Sequence, residues 1–301
     1  MNAHSSIKPM VQAWVHDRRL GEIFESSYAG AEAWAAACSP RNASTEQLAI
    51  ATMDLLLWFL YLDDSEGADD ARLHRYLSAA ITGDPASGET EDYSDSSILR
   101  QFSEQTARLT RRGLPMARYL GERQTALASY ERRNRLLREG WTPTFAQLLD
   151  FREVTTLIRV WFTLWEILGQ FQLTQHDYES PIFDRAITAT TRWHVFANEI
   201  HSVDRDQREG MPNLVLCLER DHAVGRQDAL ALLRRHCESQ SNEVNSAWKE
   251  AQARDLAAGH LGDALRFLRL IIDGAQEVYS RRLERYRPLP ADPISPPETG
   301  T

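Results

Sequence analysis

The stretch MDLLLWFLYLDDSEGADDARLHRYL (53–77) decides the reading of the chain. From Met53 to Leu62 it is apolar on nearly every side, the pattern of a helix buried at the centre of a bundle rather than one with a solvent face. It then turns acidic. Asp63, Asp64 and Glu66 follow directly on Leu62, with Asp69 and Asp70 a turn later. Carboxylates at the C-terminal end of a helix oppose its macrodipole, so a cation is needed to compensate, and hard oxygen donors suit Mg²⁺. Standing alone, the same letters also describe a solvated helix end leading into an acidic loop.

Outward from this stretch, apolar residues recur at helical spacing over roughly 45–62, 97–112, 115–138, 143–173, 181–208, 226–257 and 260–286. Strand-like alternation is scarce, and no internal repeat of fixed period is visible. TGDPASGETEDYSDSS (82–97) and TQHDYES (174–180) read as loops. Helical segments with short connections can bury their apolar faces only against one another, so the chain is expected to be an all-α single domain of at least seven helices. A flexible stretch at 1–12 is expected to precede a helical domain at 13–286. The Pro-rich tail RPLPADPISPPETGT (287–301) is expected to be disordered.

The charge balance is 34 Lys+Arg against 43 Asp+Glu, a net charge of −9, which argues against a nucleic-acid partner. Cys38, Cys217 and Cys237 lie far apart with no CxxC pair, so neither a disulfide framework nor a zinc ribbon is expected and a reducing cytoplasm suits the count. The first residues hold no apolar core of signal-peptide length, and no run of about 18 apolar residues spans a bilayer.

A second cluster lies in TTRWHVFANEIHSVDRDQREGMPNLVLCL (190–218), where Asn198, Ser202 and Asp206 fall at i, i+4 and i+8. Four residues make one turn plus about 40°, so the three oxygen-bearing side chains share one gently drifting helix face. An amide oxygen, a hydroxyl and a carboxylate form a hard, weakly charged set able to hold Mg²⁺ and leave room for phosphate oxygens. Arg205 stands beside the last of them. The same triplet also suits the polar face of an ordinary amphipathic helix.

Taken together, these motifs resemble those of the bacterial class I terpene synthases. LDDSE (62–66) looks like the short form of that family's Asp-rich motif, and NEIHSVDRD (198–206) is similar to its Asn-Ser-Glu triad, followed by the family-like GMPNLVLCL. PTFAQLLDFREVTT (143–156) resembles the segment bearing a diphosphate-sensing Arg, here Arg152, and RLERY (282–286) resembles a C-terminal Arg-Tyr pair, Arg285 and Tyr286. There are departures. Glu199 stands where Asp is usual, Asp206 where Glu is usual, and Gly67 where a longer first motif has an acid; Glu66 and Asp69 both remain candidate ligands.

The resemblance implies a helical bundle with a central cavity and a prenyl diphosphate substrate. It implies three Mg²⁺ held by Asp63, Asp64, Glu66, Asn198, Ser202 and Asp206. Arg152, Arg205, Arg285 and Tyr286 would grip diphosphate, with Thr155 as a linker and Thr156 as a helix-break effector. The expected activity is ionisation of the allylic diphosphate and cyclisation of the carbocation to a terpene hydrocarbon or alcohol. The shortened first motif and altered triad favour C20 geranylgeranyl diphosphate over C15 farnesyl diphosphate, and the family leaves room for a homodimer.

Carbocations persist in a dry pocket with aromatic faces, which attract positive charge and offer no nucleophile. Trp58, Phe59, Trp161, Trp165, Trp193 and Phe196 are the candidates, although each also suits core packing. His194 and His201 have no partner at a metal-ligand spacing and are expected to be solvated or satisfied locally. Cys217 and Cys237 are expected to pack between helices. Three other readings compete: a prenyltransferase of the same fold, for which a second DDxxD motif is missing; a synthase acting on a bicyclic copalyl-type diphosphate; and a non-catalytic helical scaffold.

Overall fold

The structure, a computed structural model, describes residues 7–16, 21–64 and 116–280. Among these residues the chain forms eleven helices and no strand: α1 (Ile7–His16), α2 (Gly21–Ala37), α3 (Thr45–Asp64), α4 (Met116–Arg138), α5 (Phe145–Thr155), α6 (Ile158–Ile167), α7 (Gln175–Tyr178), α8 (Pro181–Arg208), α9 (Leu214–His222), α10 (Arg226–Ala253) and α11 (His260–Ser280). None is long and apolar enough to cross a membrane.

Side-chain capping sets several of the starts. Thr144 and Gln147 form a reciprocal capping box at α5, and Thr174 and Asp177 do so at α7. Ser180 accepts from the backbone N–H of Phe183 at the head of α8, with Pro181 at the first helical position. Asn213 caps α9 by accepting from Val215 N at 2.8 Å.

The structure departs from the sequence expectation in four places. Helices α1 and α2 form where no periodic segment was marked, and α1 buries Ile7 and Val11. The segment 143–173 is broken into α5 and α6. Residues 174–180 contain the single turn α7 rather than only loop, and α9 is a helix of its own. The segment 97–112, the loop 82–97 and the tail lie outside the described residues.

Long α8 is the axis of the bundle, packing against α5, α6, α9, α10 and α11. Two apolar clusters flank it. The larger joins α1–α4, α6, α8, α10 and α11 through residues such as Trp58, Trp161, Trp165, Phe267 and Ile271. The smaller, with Leu148, Phe196, Leu214, Leu218 and Leu233, fills the wedge between α5, α8, α9 and α10. Helix α11 crosses the end of α2 so closely that a Cβ at Gly274 would stand 2.1 Å from the Ala37 carbonyl oxygen.

Candidate active site

The C-terminal half of α8 carries the triad, and the structure surrounds it with hydrogen bonds. Ser202 Oγ donates to Asp206 Oδ2 at 2.6 Å. Arg205 Nη2 lies 2.9 Å from the other oxygen, Asp206 Oδ1. Asn213 Nδ2 donates to Asp206 Oδ2 at 2.8 Å and also reaches Ser202 Oγ at 3.3 Å and the Glu199 backbone carbonyl at 3.0 Å. Ser202, Asp206, Glu199 and Asn213 are all buried, whereas Asn198 is half-buried.

Arg152 comes in from the last turn of α5. Its Nη2 donates to Asn198 Oδ1 at 2.6 Å, and its Nε lies 2.6 Å from Glu199 Oε1. The second carboxylate oxygen of Glu199 accepts from Leu214 N at 2.8 Å, at the head of α9. Glu199 therefore bridges α5 and α9 from the side of α8, and the departure from Asp at this position has a structural use: the longer side chain spans both partners. Burial opposes the charge of Arg152, but Glu199, Tyr130 and Asp206 outweigh it and hold its pKa above the ordinary arginine value. Burial pushes the Glu199 carboxyl up and Asp206 adds to the push, with Arg152 and the Leu214 N–H in opposition.

Just beyond Arg152 the helix breaks. Thr156 closes α5, and Leu157 adopts a left-handed φ of 63° before α6 begins. Tyr130 Oη donates to the Thr155 carbonyl at 2.6 Å and fixes the break from α4. Trp58 lies 6.3 Å from the Tyr130 ring, which connects α3 to the same region. Asp63 and Asp64 are the last two residues of α3, and Phe59 lies on that helix. Glu66, Asp69, Arg285 and Tyr286 lie outside the described residues.

The aromatic candidates separate into two groups. Trp58, Trp161, Trp165 and Trp193 are buried in the larger cluster. Trp161 and Trp165 meet edge to face at 5.8 Å, and Trp161 Nε1 donates to the Cys38 carbonyl at 3.1 Å. Phe196 does not join them: it sits in the smaller cluster, stacked 5.1 Å from His236 of α10. The reason is angular. Phe196 lies about 160° around the helix from Asn198, on the opposite face. Cys217 and Cys237 pack between helices, Cys217 fully buried and Cys237 partly.

Against expectation, His194 is neither solvated nor fully satisfied. It is buried, and its Nε2 has no hydrogen-bond partner. His201 is stacked on Tyr279 at 4.5 Å with the rings 4° from parallel. Asn213 and the bridging role of Glu199 were missed in the sequence. The readable signal for Asn213 was its place immediately before the apolar run LVLCL, where Asn is a preferred helix cap.

Comparison with known proteins now decides the family. Residues 54–243 match the family model described as terpene synthase family 2, C-terminal metal binding. The chain belongs to this family. A curated relative, a sesquiterpene synthase of Cyclocybe aegerita, is 24% identical over 249 residues, covering 78% of this chain and 56% of the relative; the chain thus spans about half that protein's length. Among solved structures, a linalool/nerolidol synthase from Streptomyces clavuligerus in complex with 2-fluorogeranyl diphosphate is similar with a TM-score of 0.79 and 21% identity, over 94% of this chain and 95% of that one. A 2-methylisoborneol synthase from Streptomyces coelicolor A3(2), in complex with Mg²⁺ and 2-fluoroneryl diphosphate, is similar with a TM-score of 0.77 and 18% identity, over 95% and 93%. The all-α bundle of this family is therefore the fold of this chain.

Whether the triad fits a metal is answered by its donor chemistry. Asn198 Oδ1, Ser202 Oγ and the Asp206 carboxylate are hard oxygens on one face, and two of them already attract guanidinium N–H groups, from Arg152 and Arg205. Such a set fits a divalent oxygen-seeking cation better than zinc, which prefers nitrogen and sulfur. Among the described residues no three His, Cys, Asp or Glu side chains gather as an alternative metal site.

Proposed function

We propose that the chain is a Mg²⁺-dependent terpene cyclase that ionises an allylic prenyl diphosphate, cyclises the resulting carbocation and releases diphosphate, with a catalytic domain that takes in α1 from Ile7, ahead of the expected start at 13, and runs to 286. The observation that carries this reading is the junction of Arg152 with Asn198 and Glu199, because it joins an anion-binding cation to an oxygen-rich cation site within 2.6 Å. Neither feature alone specifies a reaction. Together they match the two halves of a metal diphosphate.

Bound Mg²⁺, held by Asn198, Ser202 and Asp206 on one side and by Asp63, Asp64 and Glu66 on the other, would supply Lewis-acid stabilisation of the charge that develops on the leaving diphosphate. The protein's own groups do the rest. Arg152 is held charged by Glu199, and its planar fork suits bidentate contact with phosphate oxygens. Arg205 stands at the other end of the triad with its guanidinium already turned toward Asp206, and Arg285 and Tyr286 complete the set of diphosphate donors. Thr155 and Thr156, at the break after α5, transmit movement of Arg152 into α6. Trp58, Trp161 and Trp165 offer ring faces to the cation and exclude water, whereas Trp193, about 140° around α8 from Asn198, packs away from the triad.

For the chain length of the substrate, the name of the Cyclocybe aegerita relative supports C15 farnesyl diphosphate. The C20 expectation drew only on departures within the motifs, and the structure gives Glu199 a bridging use unrelated to chain length. The test is incubation with Mg²⁺ and, separately, geranyl, farnesyl, geranylgeranyl and copalyl-type diphosphates, with extracts separated by gas chromatography and mass spectrometry. A terpene from farnesyl diphosphate is expected; product from none of the four overturns the reading in favour of a non-catalytic scaffold.

A further inference from the structure

His194 stands on the face of α8 that continues the triad downward. At about 100° per residue it is set about 40° around the helix from Asn198 and about 20° from Arg205, and it lies one turn, about 6 Å, below Asn198. Within the triad's span the helix surface opens to solvent at His201 and Asp204, and just past it at Gln207; toward the N-terminus Ile187 and Thr191, on the side of His194, are each 1% exposed. His194 thus lies on the strip that leads from the triad into the buried N-terminal half of α8.

The environment of the ring is apolar and aromatic. His194 is 5% exposed, with its ring centroid 5.6 Å from Trp34 and 5.3 Å from Trp193. One ring nitrogen meets the backbone of Ile271, while Nε2 has no partner. A donor bond to the Ile271 carbonyl fixes the tautomer and leaves Nε2 with a bare lone pair. An unpaired buried acceptor forfeits about 1–3 kcal/mol, and most buried polar atoms avoid that loss.

We propose that His194 is the base that ends the reaction, its Nε2 taking a proton from a carbon adjacent to the cationic centre so that the product leaves as an alkene. In this step a new N–H bond forms from the nitrogen lone pair and a C–H bond breaks. The electron pair of that bond becomes the π bond that quenches the cation. The imidazole becomes an imidazolium and loses its proton to solvent when the site opens for product release. Burial pushes the His194 pKa down to about 3, so the ring enters the reaction uncharged and does not repel a neighbouring cation. A weak base suffices, because the C–H bond beside a carbocation is strongly acidic. This role rests on the cyclase reading given above.

The experiment compares wild type with His194→Phe, which keeps an aromatic face and loses only the lone pair, in the presence of Mg²⁺ and whichever prenyl diphosphate the wild type accepts. Diphosphate release is followed in parallel with the product profile. Wild type should give an alkene as its main product. His194→Phe should release diphosphate within about threefold of wild type while the share of that alkene falls by about tenfold or more, replaced by other double-bond isomers or alcohols. Should the Phe variant not fold, His194→Leu carries the same expectation. An unchanged profile in the folded variant, or an alcohol as the main wild-type product, overturns the role of His194 alone. A wild type that releases no diphosphate overturns the cyclase reading first and this one with it.

Discussion

Two of the buried arginine–carboxylate pairs among the described residues differ in their surroundings. Between α3 and α4, Arg123 lies 3.4 Å from Asp54 with side chains 0% and 1% exposed. Tyr119 closes the cluster by donating to Asp54 Oδ1 at 2.8 Å and accepting from Arg123 Nη1 at 2.6 Å. At the junction of α5 and α8, Arg152 lies closer to its acid, Glu199, at 2.6 Å, but 22% of its side chain reaches solvent and it also touches Asn198. A sealed pair can only hold its two helices in register. An arginine with an open edge and an exchangeable partner can bind something else, and chemical role follows from that access rather than from the presence of the pair.

The sealed pair should show its role as stability. Asp54→Ala leaves the Arg123 charge buried without its carboxylate, which is expected to lower unfolding stability by about 3–5 kcal/mol in urea titration. Turnover per folded molecule should change little. Loss of activity without loss of stability would mean that this cluster, and not only the Arg152 junction, meets the substrate.

At the open pair the effect should reverse. Asn198→Ala removes one proposed metal ligand and the Arg152 contact, and is expected to lower kcat/KM by about 10²–10³-fold, or about 2.7–4 kcal/mol of transition-state stabilisation. Helical circular dichroism should be intact. Retained turnover would remove Asn198 from the metal site and leave the junction as another structural pair.

How much of this was legible beforehand differs between the two regions. The triad could be read because its spacing follows a helix period, and the end of α3 because an apolar run met acid abruptly. The Asp54–Tyr119–Arg123 cluster could not, since its members are brought together across 65 and 69 residues by helix packing alone. The break between α5 and α6 was hidden for another reason: Leu157 carries no glycine or proline signal, and only tertiary packing holds it in a left-handed conformation. His194 looked ordinary because its missing partner is a property of the bundle.

Its burial predicts a pH effect. The His194 pKa is lowered in the folded state, so its contribution to stability is present above the unfolded value of about 6.5 and is lost as pH falls toward about 3. Relative to His194→Phe, wild type should lose about 1.4 kcal/mol of stability per pH unit across that window. Parallel stability curves for the two proteins would show that the ring is solvated. A smaller change is expected at the cap of α9: Asn213→Ala removes the bond to Val215 N and the support of Asp206 Oδ2, costing about 1–2 kcal/mol in thermal or urea unfolding.

The smallest effect separates backbone from side chain at the break that lies beside Arg152. Leu157 is 8% exposed, so truncating it forfeits about 1.5–3 kcal/mol of apolar burial whichever small residue replaces it. Alanine still carries the cost of a left-handed φ, about 1–2 kcal/mol, whereas glycine does not. Leu157→Gly should therefore be more stable than Leu157→Ala by about 1 kcal/mol, the reverse of the order usual within a helix. If alanine is instead the more stable, the position is helical in solution, α5 runs on into α6, and the Tyr130 bond to the Thr155 carbonyl no longer marks the end of the helix that carries Arg152.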